Sequence, residues 1–178
     1  MRTVALLCVA ALALSGCGLR PLYGGGAGGS VQTLLASVQV APIEGQSGWL
    51  VSNALRDRLS IGEDVAARYR LEVQLDDSIA GLGVRSDDSV ARERRTLRAR
   101  YQLVDLASGA VVLDATAGSD AGIDVVGSEY ATIAAEKSAL ERLSGIVADQ
   151  IIARVARFAQ SGSNVPASAA APAPAGAR

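Results

Sequence analysis

Histidine is absent from the 178 residues. With it go imidazole acid–base catalysis, serine–histidine and cysteine–histidine nucleophile pairs, and the commonest zinc ligand. Cysteine occurs only at positions 8 and 17, too few for a zinc site and both at the extreme N-terminus. Aromatic residues make up 3%, which leaves little stacking surface for single-stranded nucleic acid. Charge of one sign is also lacking: 17 basic against 18 acidic residues give a net charge of −1, so no global field attracts a polyanion such as nucleic acid. The expectation is a non-enzymatic protein with no cofactor and no metal.

The first seventeen residues carry an address. Arg2 precedes an apolar run from Val4 to Leu14. A run of that length is too short to span a bilayer, which takes about 20 residues, and it fits the apolar region of a signal peptide. Leu14-Ser15-Gly16-Cys17 follows and resembles the bacterial lipobox, in which a signal peptidase cleaves before a cysteine whose thiol is diacylated and whose new amine is acylated too. Residues 1–16 are therefore expected to leave as signal peptide, and Cys17 is the expected lipidation site. Cys8 leaves with the signal and acylation consumes Cys17, so no disulfide is available and the fold stands on its core. Three acyl chains exceed the two signals needed for stable anchoring without a span. Gly18, rather than the aspartate typical of lipoproteins kept in the inner membrane, points to the outer membrane and its periplasmic side.

Residues 17–30 read as the acylated cysteine and a glycine-rich tether. Residues 161–178 are Ser, Asn, Pro and Ala with one terminal Arg; they offer no periodic apolar face and read as a disordered tail. One domain, 31–160, remains. Within it, Leu34–Val40 reads as a strand stopped by Pro42. Ser47 is the expected N-cap of a helix in which Val51, Leu55 and Leu59 recur every four residues, ending at Gly62. Tyr69–Asp76 and Leu97–Leu103 alternate strictly, with Leu71, Val73, Ala99 and Tyr101 inward and Glu72, Gln74, Arg98 and Arg100 outward. Ser108-Gly109 is a turn signal before a fourth strand over Val111–Ala117. Ser128–Gln160 carries Ile133, Leu140, Leu143, Val147, Ile151 and Val155 at helical spacing, with a bend or break expected at Gly145, where glycine costs ~1 kcal/mol relative to alanine. The predicted fold is an α/β (α+β) two-layer sandwich of order β-α-β-β-β-α, with two helices on one face of a four-stranded mixed or antiparallel sheet.

The chain resembles the LptE family of lipopolysaccharide-assembly lipoproteins, in its alphaproteobacterial form. The resemblance rests on Cys17-Gly18-Leu19-Arg20-Pro21-Leu22-Tyr23, Asn53-Ala54-Leu55-Arg56-Asp57-Arg58-Leu59, Tyr69-Arg70-Leu71, Thr96 to Leu103 and Ser128-Glu129-Tyr130-Ala131. It covers nearly the whole chain except the Ala/Pro tail, which is the departure from the family pattern. It implies an outer-membrane lipoprotein inside the lumen of the β-barrel translocon LptD, plugging the barrel, helping it assemble, and passing lipopolysaccharide to the outer leaflet. LptD, lipopolysaccharide and, through the acyl chains, the outer membrane are the implied partners.

If lipopolysaccharide is a ligand, its phosphates and carboxylates call for arginine forks. Between positions 85 and 100 lie six arginines against Asp87, Asp88 and Glu93, and Arg92, Arg94, Arg95, Arg98 and Arg100 are the candidate ligand-binding residues. The competing reading is a solvated strand face, with Glu72 or Asp76 neutralising Arg98 or Arg100, or plain contact with the barrel wall. Lys137 is the one lysine, so arginine richness also fits coding bias. Asp76-Asp77 and Asp87-Asp88 are poor metal candidates, since adjacent strand residues point to opposite faces and loop pairs are usually solvated. Gly81-Leu82-Gly83 precedes no helix and is rejected as a phosphate loop. Trp49, in a first helical turn, is read as core or interface packing. An auxiliary lipoprotein of an ABC-type lipid transporter is the alternative function. A serine hydrolase lacks both histidine and a G-x-S-x-G elbow.

Overall fold

The computed structural model describes residues 29–59, 65–84 and 90–163. The elements are α1 (Ser30–Ala36), β1 (Val38–Val40), α2 (Gly45–Leu59), β2 (Tyr69–Val84), β3 (Val90–Asp105), β4 (Val111–Asp124) and α3 (Glu129–Ser163). The sheet order is β1-β2-β3-β4. β1 runs parallel to β2, and the two remaining pairings are antiparallel. The sandwich of helices on a four-stranded mixed sheet is thus the fold of this chain. Cys17, the lipobox, residues 17–28 of the tether, Gly62, Arg85, Asp87, Asp88 and the tail beyond Ser163 lie outside the described residues.

Alternation dictates the sheet. Leu71, Val73, Leu97, Ala99, Tyr101 and Leu103 point to one face, where they are buried against Leu140, Leu143, Val147, Ile151 and Val155 of α3. α3 runs as one helix through Gly145 with no break, about 50 Å at 1.5 Å per residue. Apolar contact on either side holds it: Leu140, Leu143, Val147 and Ala148 are each almost wholly buried. Burial of that order outweighs the helix propensity lost at a single glycine. Arg58 fastens α2 to α3, donating to Asp149 and, at 3.4 Å, to the Gly145 carbonyl.

The bounds of five expected elements move. The strand expected over Leu34–Val40 is split: Ser30–Ala36 is helical and only Val38–Val40 is extended. Val31 and Leu35, one helical turn apart, are buried in the common core; the Leu34-Leu35-Ala36 run is too short for its period to separate strand from helix. α2 starts at Gly45, two residues before the expected cap Ser47, because Gly45 takes φ +81° and turns the chain into the helix. β2, β3 and β4 run well beyond their predicted ends, so the hairpins are long. The Ser108-Gly109 turn is as expected. Asp105 Oδ1 accepts from the Ala107 and Ser108 amides at 2.9 and 3.0 Å, and Gly109 sits at φ +70°. No helix among the described residues is long and apolar enough to cross a membrane.

Candidate functional site

The outer face of the sheet, opposite the helices, is built from the even-numbered residues of β3 and their neighbours. β3 is central, so Arg92, Arg94, Arg98 and Arg100 form a cationic row down the middle of that face. β4 brings acids alongside. Arg92 Nε lies 3.0 Å from Asp124, Arg94 Nε 3.8 Å from Asp120 and Arg100 Nη2 3.0 Å from Asp114. Gln102 also donates to Asp114, at 2.9 Å. The hydrogen bonds from Arg100 and Gln102 hold the Asp114 carboxyl below its ordinary pKa, and the same bond raises that of Arg100. These pairs are solvent-exposed and individually weak, but they set the charge pattern of the face.

The five candidate arginines do not come together. Arg95 points the other way, into the seam between sheet and α3. There Nε and Nη2 donate to the two Asp77 oxygens at 2.9 and 2.7 Å, and Nη1 donates to the Glu136 carbonyl at 3.2 Å. The side chains are only 13% and 19% exposed. The hydrogen bonds to Asp77 raise the Arg95 pKa against the opposing effect of burial. Arg95 is therefore a structural tie from sheet to helix, turned away from the outer face.

Arg98 differs from its neighbours. It has no ion-pair partner among the described residues, although Asp76 is its register partner in β2. The expected neutralisation by Glu72 is likewise not formed: Glu72 pairs with Arg70 at 2.8 Å. Beside Arg98 an open cavity of about 530 Å³ is lined by Gln74, Asp76, Arg100, Thr116, Gly118 and Gln150, among others. Gly118 makes room for it. A Cβ there would lie 3.2 Å from both Arg98 Cγ and the Leu97 carbonyl oxygen, so the bare backbone lets the arginine stem lie flat across β4. Gln150 of α3 reaches the same glycine, accepting from its amide at 3.0 Å and donating to its carbonyl at 3.3 Å. The cavity thus offers one unpaired guanidinium, amide and hydroxyl groups, and a carboxylate.

Asp114, Thr116, Gly118 and Gln150 were not among the residues singled out from sequence. The Ser108-Gly109 turn with strand alternation places Asp114 and Thr116 opposite Gln102 and Arg100, so that signal existed. Gln150 lies on another element, and no local pattern marks it. Trp49, read as packing, is 63% exposed. Among the described residues no group of three potential ligands could hold a metal ion.

Residues 35–155 match the family model described as LptE: Lipopolysaccharide-assembly. No curated protein matches the sequence. Among solved structures, a Caulobacter crescentus CB15 protein assigned as a lipoprotein is 26% identical, with a TM-score of 0.62 over 76% of this chain and 98% of its own. Rare lipoprotein B of Shewanella oneidensis is 12% identical, with a TM-score of 0.58 over 71% of this chain and 97% of its own. Lipoprotein B of Nitrosomonas europaea is 16% identical, with a TM-score of 0.54 over 71% and 90%. At their low identities the last two speak to the fold alone.

Proposed function

The chain belongs to the LptE lipopolysaccharide-assembly family, and from that premise we propose that it is a non-enzymatic outer-membrane lipoprotein that plugs the LptD β-barrel translocon. In this reading it also helps the barrel assemble and assists delivery of lipopolysaccharide to the outer leaflet. Cys17 carries the acyl anchor, and the domain projects from the periplasmic side into the barrel lumen. The observation that carries the proposal is the extent of the family match, which runs from the end of α1 into the last third of α3 and so takes in the whole sheet, α2 and most of α3. The outer sheet face supports it: rows of arginine and aspartate suit a water-filled barrel interior, which is polar where the outside is apolar.

Lipopolysaccharide contact is assigned to Arg98 first. Its guanidinium is free of carboxylate partners among the described residues and lies at an open cavity, whereas Arg92, Arg94 and Arg100 each already face an aspartate at 3.0 to 3.8 Å. Arg95 is left out of the ligand set, because it is committed to Asp77 on the opposite face. Arg98→Glu replaces a charge-assisted hydrogen bond, worth ~1.5–3 kcal/mol, with repulsion, so binding of purified lipopolysaccharide should fall at least tenfold. Wild-type binding should weaken with added salt. Arg98 faces away from the core, so the thermal midpoint should hold. Wild-type affinity in Arg98→Glu would return this row to a solvated face of cross-strand pairs.

A further inference from the structure

The two edges of the sheet are finished differently. At β4, the amide and carbonyl of Gly118 point off the sheet, and Gln150 caps both. At β2 nothing comparable exists among the described residues. β1 pairs only with Tyr69, Arg70 and Leu71, yet β2 continues to Val84. The direction of its free groups follows from three bonds. The Tyr69 amide donates to Ser37 and the Leu71 carbonyl accepts from Ala41, both away from β3, while the Arg68 carbonyl accepts from Leu106 on the β3 side. Backbone groups alternate along a strand, and the β2–β3 register shows no shift from Tyr69 to Leu82. The amides and carbonyls of Leu75, Asp77, Ile79 and Gly81 therefore point off the free edge. Seven residues at about 3.3 Å each make this a row of some 23 Å. It carries no proline, lysine or bulge; the charges it does carry are Asp76, on the outer face, and Asp77, which is held on the inner face by Arg95.

Unpaired, regular backbone of that length selects an extended strand. The side chains say which kind. On the outer face the edge presents Glu72, Gln74, Asp76 and Ser78, and Asp76 makes no ion pair among the described residues. On the inner face it presents Leu75, Asp77 and Ile79; Asp77 is taken up by Arg95, and Ile79 is 44% exposed. Within this sheet, an acidic strand is followed by a basic one: the arginines of β3 meet the aspartates of β4 at 3.0 to 3.8 Å. The same cross-strand rule applied at the free edge calls for cations outward and apolar residues inward. A second copy is a poor fit, because it brings no positive charge. Antiparallel pairing centred on Gln74 sets Glu72 opposite Asp76, and pairing centred on Asp76 sets that carboxylate against itself.

We propose that the β2 edge from Leu75 to Gly81 receives an extended strand of a partner protein in which basic and apolar residues alternate. The inference uses the edge backbone of a strand other than that of Arg98, although Gln74, Leu75 and Asp76 also line the cavity beside that arginine. The probe is an acetylated, amidated seven-residue peptide alternating Arg and Val, with a Glu/Val peptide as control. The readout is amide hydrogen exchange of the acylated full-length protein in detergent.

In the free protein the Leu75, Asp77 and Ile79 amides should exchange without protection; the Arg/Val peptide should slow them at least tenfold, and the Glu/Val peptide should not. Ile79→Pro removes an amide that serves no ladder bond, so it should keep the fold and lose the protection. Asp76→Lys should exchange the two peptides' effects, a result that general destabilisation cannot produce. Absence of protection, equal protection by both peptides, or protection that tracks dimer formation by light scattering would each overturn the proposal.

Discussion

Replacing Arg95 tests whether that arginine is a tie within the fold or part of the ligand surface. Its guanidinium makes two short bonds to Asp77 and one to the Glu136 carbonyl, and both charged side chains are less than one-fifth exposed. Arg95→Leu leaves Asp77 facing a poorly hydrated seam without a counter-charge. Full burial of such an orphan costs ~3–5 kcal/mol. The remaining water access at Asp77 reduces this to about 3 kcal/mol, or roughly 10 °C in thermal midpoint for a domain of this size. Adding Asp77→Leu removes the orphan and supplies apolar contact beside Leu97 and Ile79, so the double variant should recover to within about 1 kcal/mol of wild type. Calorimetry or thermal circular dichroism on the four proteins gives the coupling energy, expected at about 2 kcal/mol plus whatever Asp77→Leu alone costs. Losses below about 0.5 kcal/mol in Arg95→Leu, the ordinary range for exposed sites, would refute this reasoning. So would lowered lipopolysaccharide affinity with an unchanged midpoint.

Gly48→Ala places a Cβ 2.6 Å from the Ile43 carbonyl oxygen. Backbone must move there, so the alanine should cost ~1–3 kcal/mol despite its better helix propensity, and an unchanged or higher thermal midpoint would contradict the close approach. Acid should loosen the β3–β4 hairpin: amides of the turn, Ser108 foremost, lower the Asp105 pKa, and Arg100 with Gln102 lowers that of Asp114. Folded values below unfolded ones mean that this stability is complete above about pH 4 and is lost as pH falls through the folded values. Asp105→Asn should therefore show a smaller fall in thermal midpoint between pH 5 and pH 3 than wild type, and parallel curves would contradict the assignment.

Much of the sheet was legible because its near half alternates cleanly: Leu97, Ala99, Tyr101 and Leu103 against Arg98, Arg100 and Gln102 state both faces at once. The far half hides the same geometry. Asp77, Glu93 and Arg95 occupy core-side positions, and since Asp77 and Arg95 satisfy each other, the hydrophobic period vanishes while the strand continues. α1 was hidden for a different reason, since three apolar residues in a row fit both periods. At the candidate site, the outward placement of Arg98 and Arg100 followed from alternation alone. Their partners do not follow from it, because Asp114 neutralises Arg100 from β4, whereas alternation alone places Glu72 and Asp76 of β2 on the same face. The cavity needed Gly118 and Gln150, a contact between elements thirty-two positions apart, which depends on how α3 lies along the β4 edge. Arg95 lies beside the outer arginines in sequence, but its odd-numbered position alone puts it on the other face.

The most direct measurement of the central claim is affinity purification of the acylated protein from outer membranes in mild detergent, followed by identification and quantification of what accompanies it. The account predicts the LptD barrel in a one-to-one ratio, retained in high salt because a plug is enclosed rather than held by surface charge. Recovery of an inner-membrane ABC permease complex in its place, or of this lipoprotein without any barrel, would contradict it.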